Sequence, residues 1–252
     1  MDNRDKFTNK ASNYAKYRPS YPKEFIDYLM DEVGMDSKII ADIGAGTGIL
    51  TKLLADRAGK VIAIEPNKDM RDTCMEYCRM LADFTALDGT AEDTGLPGNS
   101  ADYITVAQAF HWFDRERTKT EFQRILKPNG KVTLVWNSRI ADSEFIKEND
   151  ELLRRVCPGF IGFSGGGSTE LEQHAYADFF KDGLCEYRVF DNDRYLSLEE
   201  YIGGSLSASY APFEIDPNYG EFVGGLKDLF VKYNSNGKLL MPNKTYSYTG
   251  EV

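Results

Sequence analysis

Apolar positions along the chain follow two rhythms. In the first half, short apolar runs alternate with segments whose apolar residues recur every three or four positions. Residues 38–43 (KIIADI) predict a buried strand. After a glycine-rich turn, Ile49, Leu50, Leu53, Leu54 and Ala58 fall on one helical face. Residues 60–65 (KVIAIE) predict a second strand and residues 69–81 a second helix; residues 84–87 and 102–107 (DYITVA) predict the third and fourth strands. Residues 116–126 predict a helix that stops before the turn signal Lys127-Pro128-Asn129-Gly130, and residues 131–136 (KVTLVW) a fifth strand. Repeated strand–helix–strand units imply a parallel sheet covered by helices on both faces. Such sheets bind ligands beyond the carboxyl ends of their strands, where strand order reverses.

The second half is less regular. Helical spacing recurs over residues 145–156, 171–180, 198–210 and 222–233. Residues 185–190 predict a sixth strand, and the alternating residues 244–249 (KTYSYT) a final edge strand. Residues 160–169 (FIGFSGGGST) read as a mobile loop, and no internal repeat interrupts the pattern.

Composition narrows the function classes. A chain of 252 residues suffices for one substantial domain or one domain with an insertion. A formal net charge of -10 without any Lys/Arg run argues against nucleic acid or an anionic membrane as a partner. No stretch of apolar residues is long enough to span a membrane, and the first residues lack a secretory signal, so a cytoplasmic location is expected. Cys74 and Cys78 lack CxxC spacing, Cys157 and Cys185 are isolated, and there are only two histidines. Free thiols and no metal are therefore expected.

The chemistry concentrates at Asp42-Ile43-Gly44-Ala45-Gly46-Thr47-Gly48, between a predicted strand and a predicted helix. Glycines at alternate positions let the backbone approach a ligand where a Cβ would clash, and a helix start favours a negative group. The spacing is GxGxG, with Ile49 where a dinucleotide fingerprint would carry its third glycine. Glu65 follows Gly48 by seventeen residues and can accept hydrogen bonds from a ribose diol. Both nucleotide-type cofactors want that acid, so an NAD(P)-dependent oxidoreductase remains the alternative on these residues.

In these motifs the chain resembles the class I S-adenosylmethionine-dependent methyltransferases, over roughly residues 7 to 138. The resemblance implies an α/β, Rossmann-like, doubly wound sheet of about seven strands, mostly parallel with an antiparallel last strand, plus a helical cap. Implied cofactor contacts are Asp42, Gly44, Ala45, Gly46, Gly48, Glu65, Pro66 and Met70; the three glycines would pass beneath the methionine portion, Glu65 would bind the ribose hydroxyls and Met70 would lie against the adenine. Gly89-Thr90-Ala91-Glu92 with Leu96-Pro97 resembles the motif that faces the adenine edge; Thr90 stands where many relatives carry an acid. Ala107 and Gln108 would lie beside the transferable methyl and the methionine chain.

Three further stretches are similar to small-molecule methyltransferases related to trans-aconitate and ubiquinone-pathway enzymes. They are Phe7, Ala11, Tyr14 and Tyr17-Arg18-Pro19 with Tyr21-Pro22, then Ala107-Gln108-Ala109-Phe110-His111-Trp112-Phe113, and Val135-Trp136-Asn137-Ser138-Arg139. This resemblance implies that Tyr14 and Arg18 close on the cofactor's methionine end, Arg18 pairing with its carboxylate. The implied organisation is lid helices over 1–37, a cofactor-binding core over 38–138 completed by 183–193 and 239–252, and an acceptor cap over 139–182 and 194–238.

The expected function is transfer of a methyl group to a small-molecule acceptor, by O- or C-methylation, with a carboxylate among the candidate acceptors. A non-catalytic protein that binds S-adenosylmethionine is a further alternative. The strand-four end reads AQAFHWF, not the Asn/Asp-Pro-Pro-Tyr type used for amino methylation of nucleobases or glutamine. Candidate acceptor contacts are Tyr17, His111, Trp112 and Tyr210, with Tyr201 and Ser205 nearby in the cap. His111 is the candidate base, its alternative being to shape the pocket. Phe110 has two readings, pocket wall or core. A monomer or homodimer is expected.

Overall fold

The computed structural model describes residues 19–140, 143–162 and 172–252. The first-half elements form as their periodicity predicts. Strand β1 (Ile39–Ile43) leads into α2 (Ile49–Ala55), β2 (Lys60–Ile64) into α3 (Lys68–Tyr77), and β3 (Phe84–Leu87) into β4 (Ala101–Ala107). Helix α4 (Arg115–Ile125) precedes β5 (Leu126–Arg139). The turn signal at 127–130 lies inside β5, as an irregularity with Asn129 at φ 66°; pairing jumps there from Ala101↔Leu126 to Tyr103↔Lys131. Helix α1 (Lys23–Asp27) comes before β1 and widens into a π turn over Tyr28–Glu32.

The sheet has seven strands in the order β3-β2-β1-β4-β5-β9-β6, where β6 is Glu186–Asp191 and β9 is Asn243–Gly250. Only β9 runs antiparallel to its neighbours. The last strand is therefore interior, not at the edge as its alternation alone predicts, and β6 takes the edge. Burial explains the placement: all of β9 except half-buried Lys244 is buried, whereas β6 is largely exposed.

Alternation within the strands divides the core into two layers. Ile40, Val61 and Val135 face Leu50 and Leu54 of α2 and Phe25, Leu29 and Met30 of the first helical segment. Ala41, Ile43, Ile62, Ile64, Ile104, Val106 and Trp136 face Phe122 and Ile125 of α4. Each fully buried aliphatic side chain contributes about 1.5–3 kcal/mol relative to exposure. Residues 25–35, grouped with the N-terminal segment in sequence, thus build the core of one sheet face.

A second hydrophobic cluster joins α5 (Glu144–Val156), α6 (Leu198–Leu206) and α7 (Tyr219–Tyr233) to the ribbon of β7 (Arg194–Leu196) and β8 (Leu239–Met241). Its segments leave β5 and β6 and enter β9 at the carboxyl end of the parallel strands. Helices α5 and α7 pack so closely that a Cβ at Gly225 would lie 2.4 Å from Leu152 Cδ1. The helix predicted over 171–180 does not form in its described part: residues 173–176 are turns, followed by 3-10 turns at Ala177–Phe179 and Lys181–Gly183. Aromatic packing overrides the helical spacing there, for Tyr176 stacks on Trp136 (4.2 Å) and Phe179 meets Phe110 edge-on (4.6 Å). Most of the predicted loop at 160–169 lies outside the described residues.

Candidate functional site

Strand order reverses between β1 and β4, and the glycine turn leaves β1 at that crevice. Gly44, Gly46 and Gly48 adopt φ of 68°, 58° and 83°, a region costly for residues with a Cβ. Each has a different neighbourhood. A Cβ on Gly44 would lie 2.7 Å from Ala109 Cβ, and one on Gly48 would lie 2.7 Å from Cys74 Sγ. A Cβ on Gly46 would meet no atom of the described residues within 4 Å. The outer two glycines are required by packing, whereas the space beside Gly46 holds none of the described residues.

Asp42, Glu65 and α3 hold this turn. Asp42 is 1% exposed; Oδ2 accepts from Thr51 Oγ1 (2.6 Å) and Oδ1 from Thr105 Oγ1 (2.8 Å). It therefore sits behind the turn, joining β1, α2 and β4, and does not reach the ligand side expected for it. Burial pushes its carboxyl up to about 6, against the opposing effect of the two hydroxyls.

Glu65 ends β2 with its carboxylate turned toward the turn. Oε2 accepts from the Gly46 N–H (2.9 Å) and Oε1 from the Asn67 N–H (2.9 Å). Burial raises its carboxyl, partly offset by those two backbone donors. Each oxygen retains a lone pair, so the carboxylate can accept from a diol while it fixes Gly46. The Ala45 and Gly44 N–H groups are taken by the Ile64 carbonyl.

Two residues outside the sequence expectations complete this corner. Asn67 caps α3, its Oδ1 accepting from the Met70 N–H (3.0 Å). Arg71 Nη1 donates to the carbonyls of Glu65 (2.6 Å) and Pro66 (3.2 Å) and reaches Asp88 Oδ1 (3.3 Å). The N-cap was legible as Asn67 before a charged helix start; nothing in spacing marked Arg71. Met70 is buried behind this cap.

On the β3 side, Thr90 and Asp93 close a tight turn, with Thr90 N–H donating to the Asp93 carbonyl (3.0 Å). Ala91 is buried, and Glu92 Oε1 accepts from the Asp114 N–H at the start of α4 (2.9 Å). An open depression of about 410 Å³ adjoins Thr90, lined by Asp88, Gly89, Thr90, Asp93, Gly95 and Arg117.

At the end of β4, Ala107 is half-buried and Gln108 adopts φ 59°. Its Nε2 donates to the Asn137 carbonyl (2.9 Å). The next turn folds over Gly44 through Ala109 and Phe113. Phe110 is core, 1% exposed among Phe179, Tyr176 and Trp136. His111 is exposed and packs on Trp112 (4.6 Å), itself 38% exposed. In the second cluster, Tyr201 is buried and donates to Asn149 Oδ1 (2.9 Å), Ser205 bonds its own helix at the Tyr201 carbonyl, and Tyr210 packs edge-on to Phe160 (4.8 Å). Of these only Tyr210 is half-exposed. Tyr14, Tyr17 and Arg18 lie outside the described residues. Among the described residues, no group of three or more His, Cys, Asp or Glu is arranged to hold a metal ion, and no helix is long and apolar enough to cross a membrane.

A family model described as a methyltransferase domain matches residues 41–134. An uncharacterized methyltransferase of Mycobacterium tuberculosis is 39% identical over 149 residues, 59% of each chain. The chain thus spans about 59% of the length of that relative. An uncharacterized methyltransferase-like protein of Schizosaccharomyces pombe is 31% identical over 202 residues, 77% of this chain and 73% of that one. Among solved structures, a candidate type II methyltransferase from Anaeromyxobacter dehalogenans matches with a TM-score of 0.65 at 21% identity, covering 93% of this chain and 98% of that one. The YcgJ protein of Bacillus subtilis matches at 0.57 with 18% identity, covering 92% and 100%. These last two likenesses are of fold.

Proposed function

The chain belongs to the class I S-adenosylmethionine-dependent methyltransferases, and on that premise we propose that it transfers a methyl group from S-adenosylmethionine to a small-molecule acceptor. The observation that carries the reading is the Gly46–Glu65 junction. A backbone N–H fixes a carboxylate beside a glycine whose missing Cβ would meet none of the described residues. That combination fits a ribose lying on the turn with its hydroxyls on Glu65.

In this reading, Thr90, Ala91, Glu92 and Met70 flank the base at the β3 side, and Gln108 lies at the opposite, methionine end. S-adenosylmethionine, when bound, supplies a methyl on a sulfonium already activated for displacement. The protein then supplies position and dryness. Holding the acceptor in line is worth roughly 7–11 kcal/mol. Trp112 and Tyr210 are candidate walls of the acceptor space, with the helices around the second cluster serving as its cap. His111 is the candidate to take a proton from an acceptor that holds one; a carboxylate acceptor needs no base. O- or C-methylation of a metabolite is the reaction class.

The first test is calorimetric titration of the protein with S-adenosylhomocysteine, with NAD as control. Micromolar binding of the former alone supports the reading and opens an acceptor screen with labelled methyl. Binding of NAD alone would overturn it.

A further inference from the structure

Five segments far apart in sequence meet in one hydrogen-bonded cluster around Asn137, at the carboxyl end of the sheet. Asn137 Nδ2 donates to the Ser20 carbonyl (3.2 Å), and its Oδ1 accepts from Thr245 Oγ1 (2.6 Å) and Asn192 Nδ2 (3.1 Å). Its main-chain carbonyl accepts from Gln108 Nε2 (2.9 Å). The Asn192 amide also reaches the Ser20 carbonyl (3.0 Å) and Thr245 Oγ1 (3.2 Å), so its two protons are shared among three acceptors. The Asn192 N–H is fixed on the Asn243 carbonyl (2.9 Å).

The placement of this cluster is informative. Asn137, Asn192 and Gln108 are all half-buried, so the cluster sits at the mouth of the sheet and not in its core. Gln108 carries a left-handed backbone without being glycine, a strain that persists only where surrounding contacts over-determine it. The anchored Nε2 also fixes which way the amide oxygen of Gln108 points. Ser20, whose carbonyl both asparagines grip, lies two residues after Arg18 in sequence.

We infer that Asn137 and Asn192 are positioning residues that lock the segment at Ser20 to Gln108, and so set the part of the site that receives the amino-acid half of the cofactor. The inference rests on the reading of Glu65 as the ribose acceptor. A ligand held by its ribose at β2, with its base toward β3, has only the direction of β1 and β4 for its remaining half. That direction ends at Gln108.

The test compares two ligands. S-adenosylhomocysteine has base, ribose and amino-acid half; 5′-methylthioadenosine shares the first two and lacks the third. Titration calorimetry of Asn192→Ala and Asn137→Ala should give a Kd for S-adenosylhomocysteine raised tenfold or more. The Kd for methylthioadenosine should stay within twofold of the parent protein. Asn137→Asp, which keeps the acceptor oxygens and loses the donor to Ser20, should fall between. Equal weakening of both ligands would reduce the cluster to general structural support and overturn the inference, as would unchanged affinity for both. If Asn137→Ala does not fold, the half-buried loop residue Asn192 carries the test. Failure of the parent protein to bind either ligand would overturn the cofactor reading itself, an outcome distinct from variants that match a binding parent.

Discussion

Replacing Asp42 with asparagine should stabilise the protein at neutral pH and should do so only there. Asp42 is fully buried, and its partners are two threonine hydroxyls and a backbone N–H, none carrying positive charge. Its carboxyl titrates at about 6 in the fold, raised chiefly by burial, against about 3.9 in an unfolded chain. The folded state therefore keeps the proton to higher pH than the unfolded state does. The stabilisation is fully present below about pH 4 and is lost as pH rises through about 6. Two pK units correspond to roughly 3 kcal/mol. The amide of the variant would have no charge to desolvate, and a rotated threonine hydroxyl can accept from its nitrogen at a cost that does not vary with pH.

The assay is urea unfolding followed by fluorescence of Trp112 and Trp136, on both proteins, between pH 4.5 and 7.5 at one ionic strength. The stability difference should move in favour of Asp42→Asn across that interval, by most of that roughly 3 kcal/mol. Glu65 is raised as well, with the Asp42 charge a minor contributor, so removing that charge adds a small change of the same sign. Stability curves that run parallel in pH would refute the argument that an uncompensated buried charge sits beneath the turn.

Three further outcomes are expected. Glu65→Ala should weaken S-adenosylhomocysteine by roughly 2–3 kcal/mol, the scale of hydrogen bonds to a charged group; unchanged calorimetric affinity in a folded variant removes Glu65 from the site. Gly48→Ala should lower thermal stability by more than Gly46→Ala, because both incur a left-handed penalty of about 1–2 kcal/mol but only the former drives a Cβ to 2.7 Å from Cys74 Sγ. Adding Cys74→Ala should recover part of the Gly48→Ala loss, and equal melting temperatures for the two single variants would contradict the packing account. Gly225→Ala should cost about 1–3 kcal/mol by overpacking against Leu152, measured by denaturant unfolding, with little effect on cofactor affinity.

The first half of the fold was legible because its signals are local. Strands β1, β2, β4 and β5 are apolar runs followed by a turn or a helical face, and a parallel strand in the interior of a sheet needs little else. The place of β9 was not legible. Alternation in KTYSYT reports a pleat, but an interior antiparallel strand and an edge strand share that pattern, and only pairing with both β5 and β6 separates them. Residues 172–180 carry helical spacing, yet Tyr176 and Phe179 are drawn into the aromatic layer on Trp136 and Phe110. At the site, glycine spacing and Glu65 were readable as a motif. The different reasons for the three glycines were not, because they depend on Ala109 and Cys74, residues distant in sequence. Asn192 escaped notice for the same reason: a loop asparagine acquires meaning only through Ser20, Asn137 and Thr245.

The contacts around the turn bear on how the site binds. Gly44 is pressed by Ala109, Gly48 by Cys74, Gly46 is tied through its N–H to Glu65, and Asp42 anchors the strand beneath. All of these contacts are internal to the protein. On the proposed function, the ribose side of the site is therefore preorganised, and little ordering entropy is left to lose there on binding. The opposite end is held by half-buried amides at the rim, which exchange partners with water more readily than core groups do. Affinity for the nucleoside half should accordingly be set by the core. Selectivity for the amino-acid half, and through it the placement of the reacting methyl, should be set by the Asn137 cluster. A variant that loosens the rim should thus separate recognition of the nucleoside from recognition of the amino-acid half.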